Sequence, residues 1–263
     1  MSIWMFSDHL DFDKREKFPK YENCIYCKSK LEILSHEIKP AIKGGYWHGE
    51  KIRVSFCPIC GWWTAHHELY APPAVANVEG VEKTSAAISV LKNLDVADIN
   101  SPIDEVKKFL LVRYESRFSL HPRLFEETVG SVFKSLGYHI QVTGYSGDDG
   151  VDVILENESS KIGVQVKRYR NSIKVEQIRS LVGALVLKGM TKGIFVSTST
   201  FQSGATNTVN RFEEKGYSIE LYDAKRFYDA LRLSQRPEYT SLEDFLSDHP
   251  INSLPVIHRD SYY

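Results

Sequence analysis

The stretch Gly150-Val151-Asp152-Val153-Ile154-Leu155, followed by Ile162-Gly163-Val164-Gln165-Val166-Lys167, decides how this chain is read. Residues i and i+2 of a strand share a face. Gln165 and Lys167 therefore point together, away from Val164 and Val166. The polar turn Asn157-Glu158-Ser159-Ser160 pairs 151–156 with 161–168 as a hairpin, which brings Asp152 beside them. Upstream, Phe125-Glu126-Glu127 opens a helical pattern that can add another carboxylate. A carboxylate, a further oxygen ligand and a lysine around one point suit a Mg²⁺ ion and an attacking water. The same short pattern also occurs on the solvated face of ordinary hairpins, so the flanking sequence carries the distinction.

Pro122 to Leu136 places Leu124, Phe125, Val129, Val132, Phe133 and Leu136 on a helical stripe that stops at Gly137. Tyr138–Thr143 reads as a short strand and 144–150 as a turn-rich loop, with Asp148 and Asp149 shaping turns between Gly147 and Gly150. After the hairpin the pattern predicts a helix over 175–187, a buried strand over 193–197 and a helix over 204–215. A strand over 218–222 and a helix over 224–233 follow. The order αβββαβαβα implies an α/β sandwich around a central mixed sheet.

The remaining chain divides by composition into a block at 1–72, a helical connector at 73–118, the α/β domain at 119–233 and an irregular tail at 234–263. Ala71-Pro72-Pro73-Ala74 marks the first break. Within the connector, Val81 to Leu94 shows helical spacing, and Ser101-Pro102-Ile103-Asp104-Glu105 reads as a capped helix start. The tail contains Pro237, Pro250 and Pro255 and is expected to be partly disordered.

All four cysteines lie in the first block, as Cys24-Ile25-Tyr26-Cys27 and Cys57-Pro58-Ile59-Cys60-Gly61, with 29 residues between the pairs. Two CxxC knuckles can place four thiolates on one tetrahedral ion, and structural Zn²⁺ is the expected occupant. Iron is chemically possible at such a site. The intervening length leaves room for a hairpin of Leu31–Lys39 with Lys51–Phe56, and the block resembles zinc-ribbon proteins. His36, His48, His66 and His67 are surplus to a filled coordination shell. Trp62 and Trp63, directly after the second knuckle, fill the core of a small module or stack on a base.

With 42% apolar and 25% charged residues the chain has an ordinary globular composition. No window reaches the roughly 18 to 20 apolar residues of a membrane span. The first ten residues lack the layout of a secretion signal, so a cytoplasmic location is expected. Net charge is −1. The segment 119–233 carries 15 Lys and Arg against 13 Asp and Glu, a balance compatible with DNA but not diagnostic of it.

In chain order, His121-Pro122-Arg123-Leu124-Phe125-Glu126, Leu136-Gly137-Tyr138, Ser146-Gly147-Asp148-Asp149-Gly150-Val151-Asp152, Gln165-Val166-Lys167-Arg168-Tyr169 and Gly193 to Phe201 form a series. This series resembles the Mrr-type restriction endonuclease domain of the PD-(D/E)xK nuclease superfamily, over roughly Pro122 to Leu233. The resemblance implies metal-dependent hydrolysis of DNA phosphodiesters with Mg²⁺ or Mn²⁺. On it, Asp152 matches the metal-binding aspartate, Gln165 and Lys167 the QxK pair, and Glu126 the helix glutamate. Glutamine stands where the wider superfamily has an acid, and an amide oxygen is a weaker ligand for a hard cation. Glu127 is the rival of Glu126, because adjacent helical residues point about 100° apart.

Arg168, Arg170 and Lys174 follow the QxK strand and are candidates to grip phosphates, as are the hydroxyls of Thr198 and Ser199. Gln177 and Arg179 are weaker candidates. The expected function is a DNA endonuclease in restriction or anti-phage defence. A repair or junction-resolving nuclease, and a DNA-binding protein that does not cut, are the alternatives. Cutting both strands takes two sites, so a homodimer is expected.

Overall fold

The computed structural model describes residues 3–6, 10–12, 20–43, 46–71, 81–144, 150–157, 160–235 and 239–249. Asp148, Asp149, the prolines at 72 and 73, and the tail from 250 onward lie outside these described residues. The chain divides into two compact units, Ser2–Lys92 with Arg236–Tyr263, and Asn93–Gln235.

The first unit is an antiparallel sheet of β1 (Trp4–Phe6), β2 (Leu10–Phe12), β3 (Glu32–Lys43), β4 (Tyr46–Phe56), β5 (Trp63–Ala71) and β6 (Val81–Leu91). The strand order is β1-β6-β5-β4-β3, with β2 also on β6. The expected hairpin is present as β3 with β4, longer at both strands than the sequence indicated. On β4 and β5, Ile52, Val54, Phe56, Trp63 and Ala65 alternate onto one face and form a buried cluster with Tyr239, Leu242 and Phe245.

Two sequence expectations are overturned in this unit. Val81–Leu91 is a strand paired with β5, not a helix. Ala86 opposes His66 and Ala87 opposes Ala65 in that ladder. Pairing with β5 over 81–88, with β2 over 84–86 and with β1 over 89–91 gives the backbone ladder partners, and this tertiary gain overrides a weak helical period. The tail also contains an ordered helix, α6 (Leu242–Asp248), capped by the Ser241 hydroxyl, which accepts from the Asp244 N–H. It covers the apolar face, with Phe245 5.2 Å from Trp63 and Tyr239 6.1 Å from Phe56.

The second unit runs α1 (Ile103–Val112), α2 (Pro122–Ser135), β7 (His139–Val142), β8 (Val153–Asn157), β9 (Ser160–Lys167), α3 (Val175–Leu187), β10 (Lys192–Ser197), α4 (Ser203–Glu213), β11 (Ser218–Tyr222) and α5 (Ala224–Leu233). From α2 onward this is the predicted order αβββαβαβα. The sheet order β11-β10-β9-β8-β7 is mixed, antiparallel from β7 to β9 and parallel from β9 to β11. The connector read at 73–118 is thus divided, with β6 in the first unit and α1 packed on α2 and α5 in the second. Ser101 does not cap α1, because its hydroxyl donates to the Asp95 carbonyl at 2.7 Å and Pro102 takes the cap position. Among the described residues no helix is long and apolar enough to cross a membrane.

β9 occupies the centre of the sheet, buried continuously from Gly163 to Val166. One of its faces receives α3 through a slot formed by paired glycines, Gly163 opposite Gly193. A Cβ would meet a methyl of Leu185 at 2.5 Å on Gly163 and at 2.6 Å on Gly193. No real side chain fits at that separation, so the two glycines set how closely α3 approaches the strand. Gly163→Val is therefore expected to destabilise the unit by about 1–3 kcal/mol or more through overpacking, read as a lower denaturant midpoint in urea.

Candidate active site and metal centre

β8 begins at Val153, one residue after the aspartate, so Asp152 itself closes the ladder. Its N–H donates to the Val164 carbonyl at 2.8 Å, and its Oδ2 accepts from the Val166 N–H at 2.6 Å. These two bonds bracket Gln165. The strand geometry thus brings Asp152 and Gln165 together as the hairpin reading anticipated. Both are buried, at 6% and 4% exposure, while Lys167 is half-exposed at the end of β9.

Gln165 lies opposite Phe195 of β10. Its Nε2 sits over Gly150, where a Cβ would lie 3.4 Å from it. Gly150 has a φ of +86°, so any residue with a side chain is strained there. The Gln165 Oε1 is buried without a hydrogen-bond partner. An orphaned buried carbonyl costs about 1–3 kcal/mol, which a cation at that oxygen would offset. A carboxylate oxygen and an amide oxygen are both of the donor type that a hard divalent ion takes, with water or phosphate oxygens completing its shell.

Glu126 and Glu127 are both held by Arg123, at 3.1 Å each. The same guanidinium donates to the Thr143 carbonyl at 2.6 Å, and the Thr143 hydroxyl reaches the carbonyls of Val151 (2.8 Å) and Asp152 (2.9 Å). Glu126 is thereby tied to the backbone of Asp152 through Arg123 and Thr143. The sequence reading did not single out Arg123, although its i, i+3 and i, i+4 spacing to the two acids was the available signal.

The proposed phosphate contacts separate. The Thr198 hydroxyl donates to the Tyr169 carbonyl at 2.7 Å and that of Ser199 to the Arg170 carbonyl at 3.1 Å. Each hydroxyl has one proton, already committed, so neither is left to donate to a phosphate. They staple β10 to the segment after β9. Arg168 is also partly committed, donating to the Leu120 carbonyl at 2.9 Å. Arg170 is exposed and lies 4.7 Å from the centre of the Phe118 ring, with Arg117 at 4.0 Å from the same ring. Lys174 is exposed at the start of α3, where its N–H donates to the Gln177 Oε1 at 2.6 Å. Gln177 is thus a helix cap. Arg170 and Lys174 remain available to an anion.

The first unit holds the other constellation. Cys24, Cys27, Cys57 and Cys60 are buried, and their sulfurs lie within 4.8 Å of one another. The 3.5 Å between the sulfurs of Cys24 and Cys60 and the 3.3 Å between those of Cys27 and Cys57 exclude disulfide bonds, which need about 2.05 Å. They approach the edge of a four-sulfur tetrahedron with metal–sulfur bonds of about 2.3 Å. The two knuckles close alike. Lys28 N–H donates to the Cys24 carbonyl and Gly61 N–H to the Cys57 carbonyl, with positive φ at both Lys28 (62°) and Gly61 (78°). Hydrogen bonds from Cys24 and then Cys57 and Cys60 hold the Cys27 thiol well below its ordinary pKa. Those with Cys24 and Cys27 push Cys60 well above its own. Four thiolates cannot coexist there without a cation between them. Trp62 and Trp63 are fully buried, and the Trp62 indole donates to the Ser89 carbonyl, so neither presents a stacking face.

Residues 118–231 match the family model described as a restriction endonuclease of the Mrr catalytic type. This segment is an Mrr-type restriction endonuclease domain. The Mrr domain contains Asp152, Gln165, Lys167 and Glu126. A curated relative, the type IV methyl-directed restriction enzyme EcoKMrr of Escherichia coli (strain K12), is 30% identical over 120 residues, covering 43% of this chain and 38% of its own. The uncharacterized protein y4cE of Sinorhizobium fredii (strain NBRC 101917 / NGR234) is 34% identical over 89 residues, covering 32% and 23%. This chain therefore spans well under half the length of these relatives. A solved structure, the ATP-dependent type ISP restriction-modification enzyme LlaBIII bound to DNA, aligns over 51% of this chain and 8% of its own, at 19% identity and a TM-score of 0.31.

The Asp152 geometry yields a test of its own. Asp152→Ala strands the buried Val166 N–H and is expected to destabilise the Mrr domain by about 1–3 kcal/mol. Asp152→Asn keeps an acceptor oxygen and is expected to lose less. Denaturant unfolding of the two variants side by side checks the difference.

Proposed function

We propose that the chain is a metal-dependent DNA endonuclease that hydrolyses phosphodiester bonds at the Asp152, Gln165 and Lys167 site, in restriction or anti-phage defence. The observation that carries this reading is the orphaned Gln165 Oε1, buried next in sequence to Val166, whose N–H the Asp152 carboxylate accepts, within a segment that matches the Mrr-type domain. Asp152 and Gln165 would hold Mg²⁺ or Mn²⁺, which supplies Lewis acidity and a lowered pKa for its water. The protein's own share is positional. Lys167, on the same face of β9 as Gln165, directs its ammonium at the phosphate and stabilises charge that develops on its oxygens. Glu126 and Arg123 hold the segment that aims Asp152. Arg170 and Lys174 are the side chains proposed to position the DNA backbone.

The four cysteines are proposed to hold one structural Zn²⁺ that organises the first unit. DNA is the proposed partner, a homodimer the proposed assembly for cutting both strands, and the cytoplasm the proposed location. EcoKMrr is described as methyl-directed, so methylated DNA belongs in any substrate panel.

The deciding experiment incubates the purified chain with supercoiled, linear, methylated and branched DNA, with and without Mg²⁺ or Mn²⁺. The expected result is metal-dependent cleavage that falls roughly 10²-fold or more in both Asp152→Asn and Lys167→Ala. Binding without cutting on every substrate would replace the proposal with the non-cleaving alternative, and preference for four-way junctions would replace it with the resolvase. For the other centre, elemental analysis is expected to find one zinc per chain. Cys57→Ser is expected to lose that zinc and the near-ultraviolet signal of Trp62 and Trp63, because zinc binding at such sites is worth roughly 10 kcal/mol of folding free energy.

A further inference from the structure

The sheet of the first unit buries one face under α6, and on β4 and β5 its other face is polar. On it, Ser55 of β4 opposes Thr64 of β5, Arg53 opposes His66, and Lys51 opposes Glu68. Lys20 and Tyr21 wall the end, and together these residues enclose a cavity of about 50 Å³. Three of the lining groups are cations, Lys20, Lys51 and Arg53, against the single carboxylate of Glu68. His66 adds no charge near neutral pH, because burial and then the nearby Arg53 lower its pKa to about 4.

The donors of this cavity are unspent. Among the described residues Lys20, Lys51 and Arg53 make no ion pair or hydrogen bond through their side chains, and Ser55 and Thr64 line the same cavity. A guanidinium that lines a pocket with no anionic partner of its own is a ready donor to an anion, and hydroxyls beside it can add further hydrogen bonds. The size is selective as well. A water needs about 10–15 Å³ of such volume, so a cavity of about 50 Å³ admits a small group such as a phosphate. The wall is fixed to the metal centre, since Tyr21 packs edge-on against Trp62 at 5.3 Å, two residues beyond Cys60.

We propose that this pocket of the first unit binds a phosphate group, through Arg53, Lys51 and Lys20 with the Ser55 and Thr64 hydroxyls, and that the phosphate belongs to a nucleic-acid backbone. The unit is then a DNA-gripping module separate from the Mrr site. The pocket is argued from its own residues, and only the identity of the phosphate's carrier rests on the proposed DNA substrate.

The test uses the full chain with a short DNA duplex, in Ca²⁺ so that the DNA stays intact, over a range of salt concentrations. Arg53→Gln and the exposed Lys20→Gln are compared with the unaltered chain, and thermal melting checks that each variant is folded. Each lost phosphate contact is expected to reduce the slope of log affinity against log salt by about 1 and to weaken binding about tenfold at low salt. The cleavage rate of already bound DNA in Mg²⁺ is expected to be unchanged. Unaltered affinity and slope in both variants would overturn the proposal, as would failure of the unaltered chain to bind the duplex. If adenosine monophosphate binds in an Arg53-dependent way while duplex binding does not depend on Arg53, the backbone assignment falls in favour of a free nucleotide. Arg53-dependent duplex binding without any cleavage would support the pocket and defeat the nuclease reading. Metal-dependent cleavage together with duplex binding that does not depend on Arg53 would do the reverse.

Discussion

A strand hydrogen-bonded on both sides and covered on both faces gives a polar side chain no water, yet β9 carries Gln165 at its centre. Around this residue the backbone is fully accounted for. The ladder of β8 stops one residue short, and the Asp152 carboxylate supplies the acceptor for Val166 that a carbonyl would otherwise provide. The amide oxygen of Gln165 is left over. Leaving such an atom without a hydrogen bond costs free energy.

Several other features keep that arrangement in place. Leu185 of α3 seats on the glycine pair of β9 and β10, which fixes the layer above the site. Thr143 anchors the carbonyls of Val151 and Asp152, and Arg123 anchors Thr143 while holding two glutamates. Behind the strand ends, the hydroxyls of Thr198 and Ser199 lock the backbone at Tyr169 and Arg170. An exposed Arg170 can then extend from a fixed base. The hydroxyls of Thr198 and Ser199 thus form part of the frame from which Arg170 extends.

The first unit is organised by a different constraint, the convergence of four sulfurs from chain positions far apart. Both knuckles require a left-handed residue after the second cysteine, and at Lys28 this costs roughly 1 kcal/mol or more that glycine at 61 avoids. Such strain persists where the surroundings impose it. The second knuckle leads directly into Trp62, against which Tyr21 packs, so the cysteine cluster and the cationic sheet face share one wall.

The αβββαβαβα order, the β3–β4 hairpin, the cysteine knuckles and the pairing of Asp152 with Gln165 were all legible from residue spacing, because each depends on local periodicity or on one short turn. The strand at Val81–Leu91 was not, since its spacing suited a helix and only pairing with β5 decided between them. Nor was the clamp of Arg123 on Thr143, the spent protons of Thr198 and Ser199, or the docking of Phe245 on Trp63, because each joins elements distant in sequence. The sequence by itself determined which side chains could do chemistry and which strand carried them. Tertiary structure alone decided which of their hydrogen-bonding groups were already used, because a donor is consumed by whatever neighbour the fold places within about 3 Å of it.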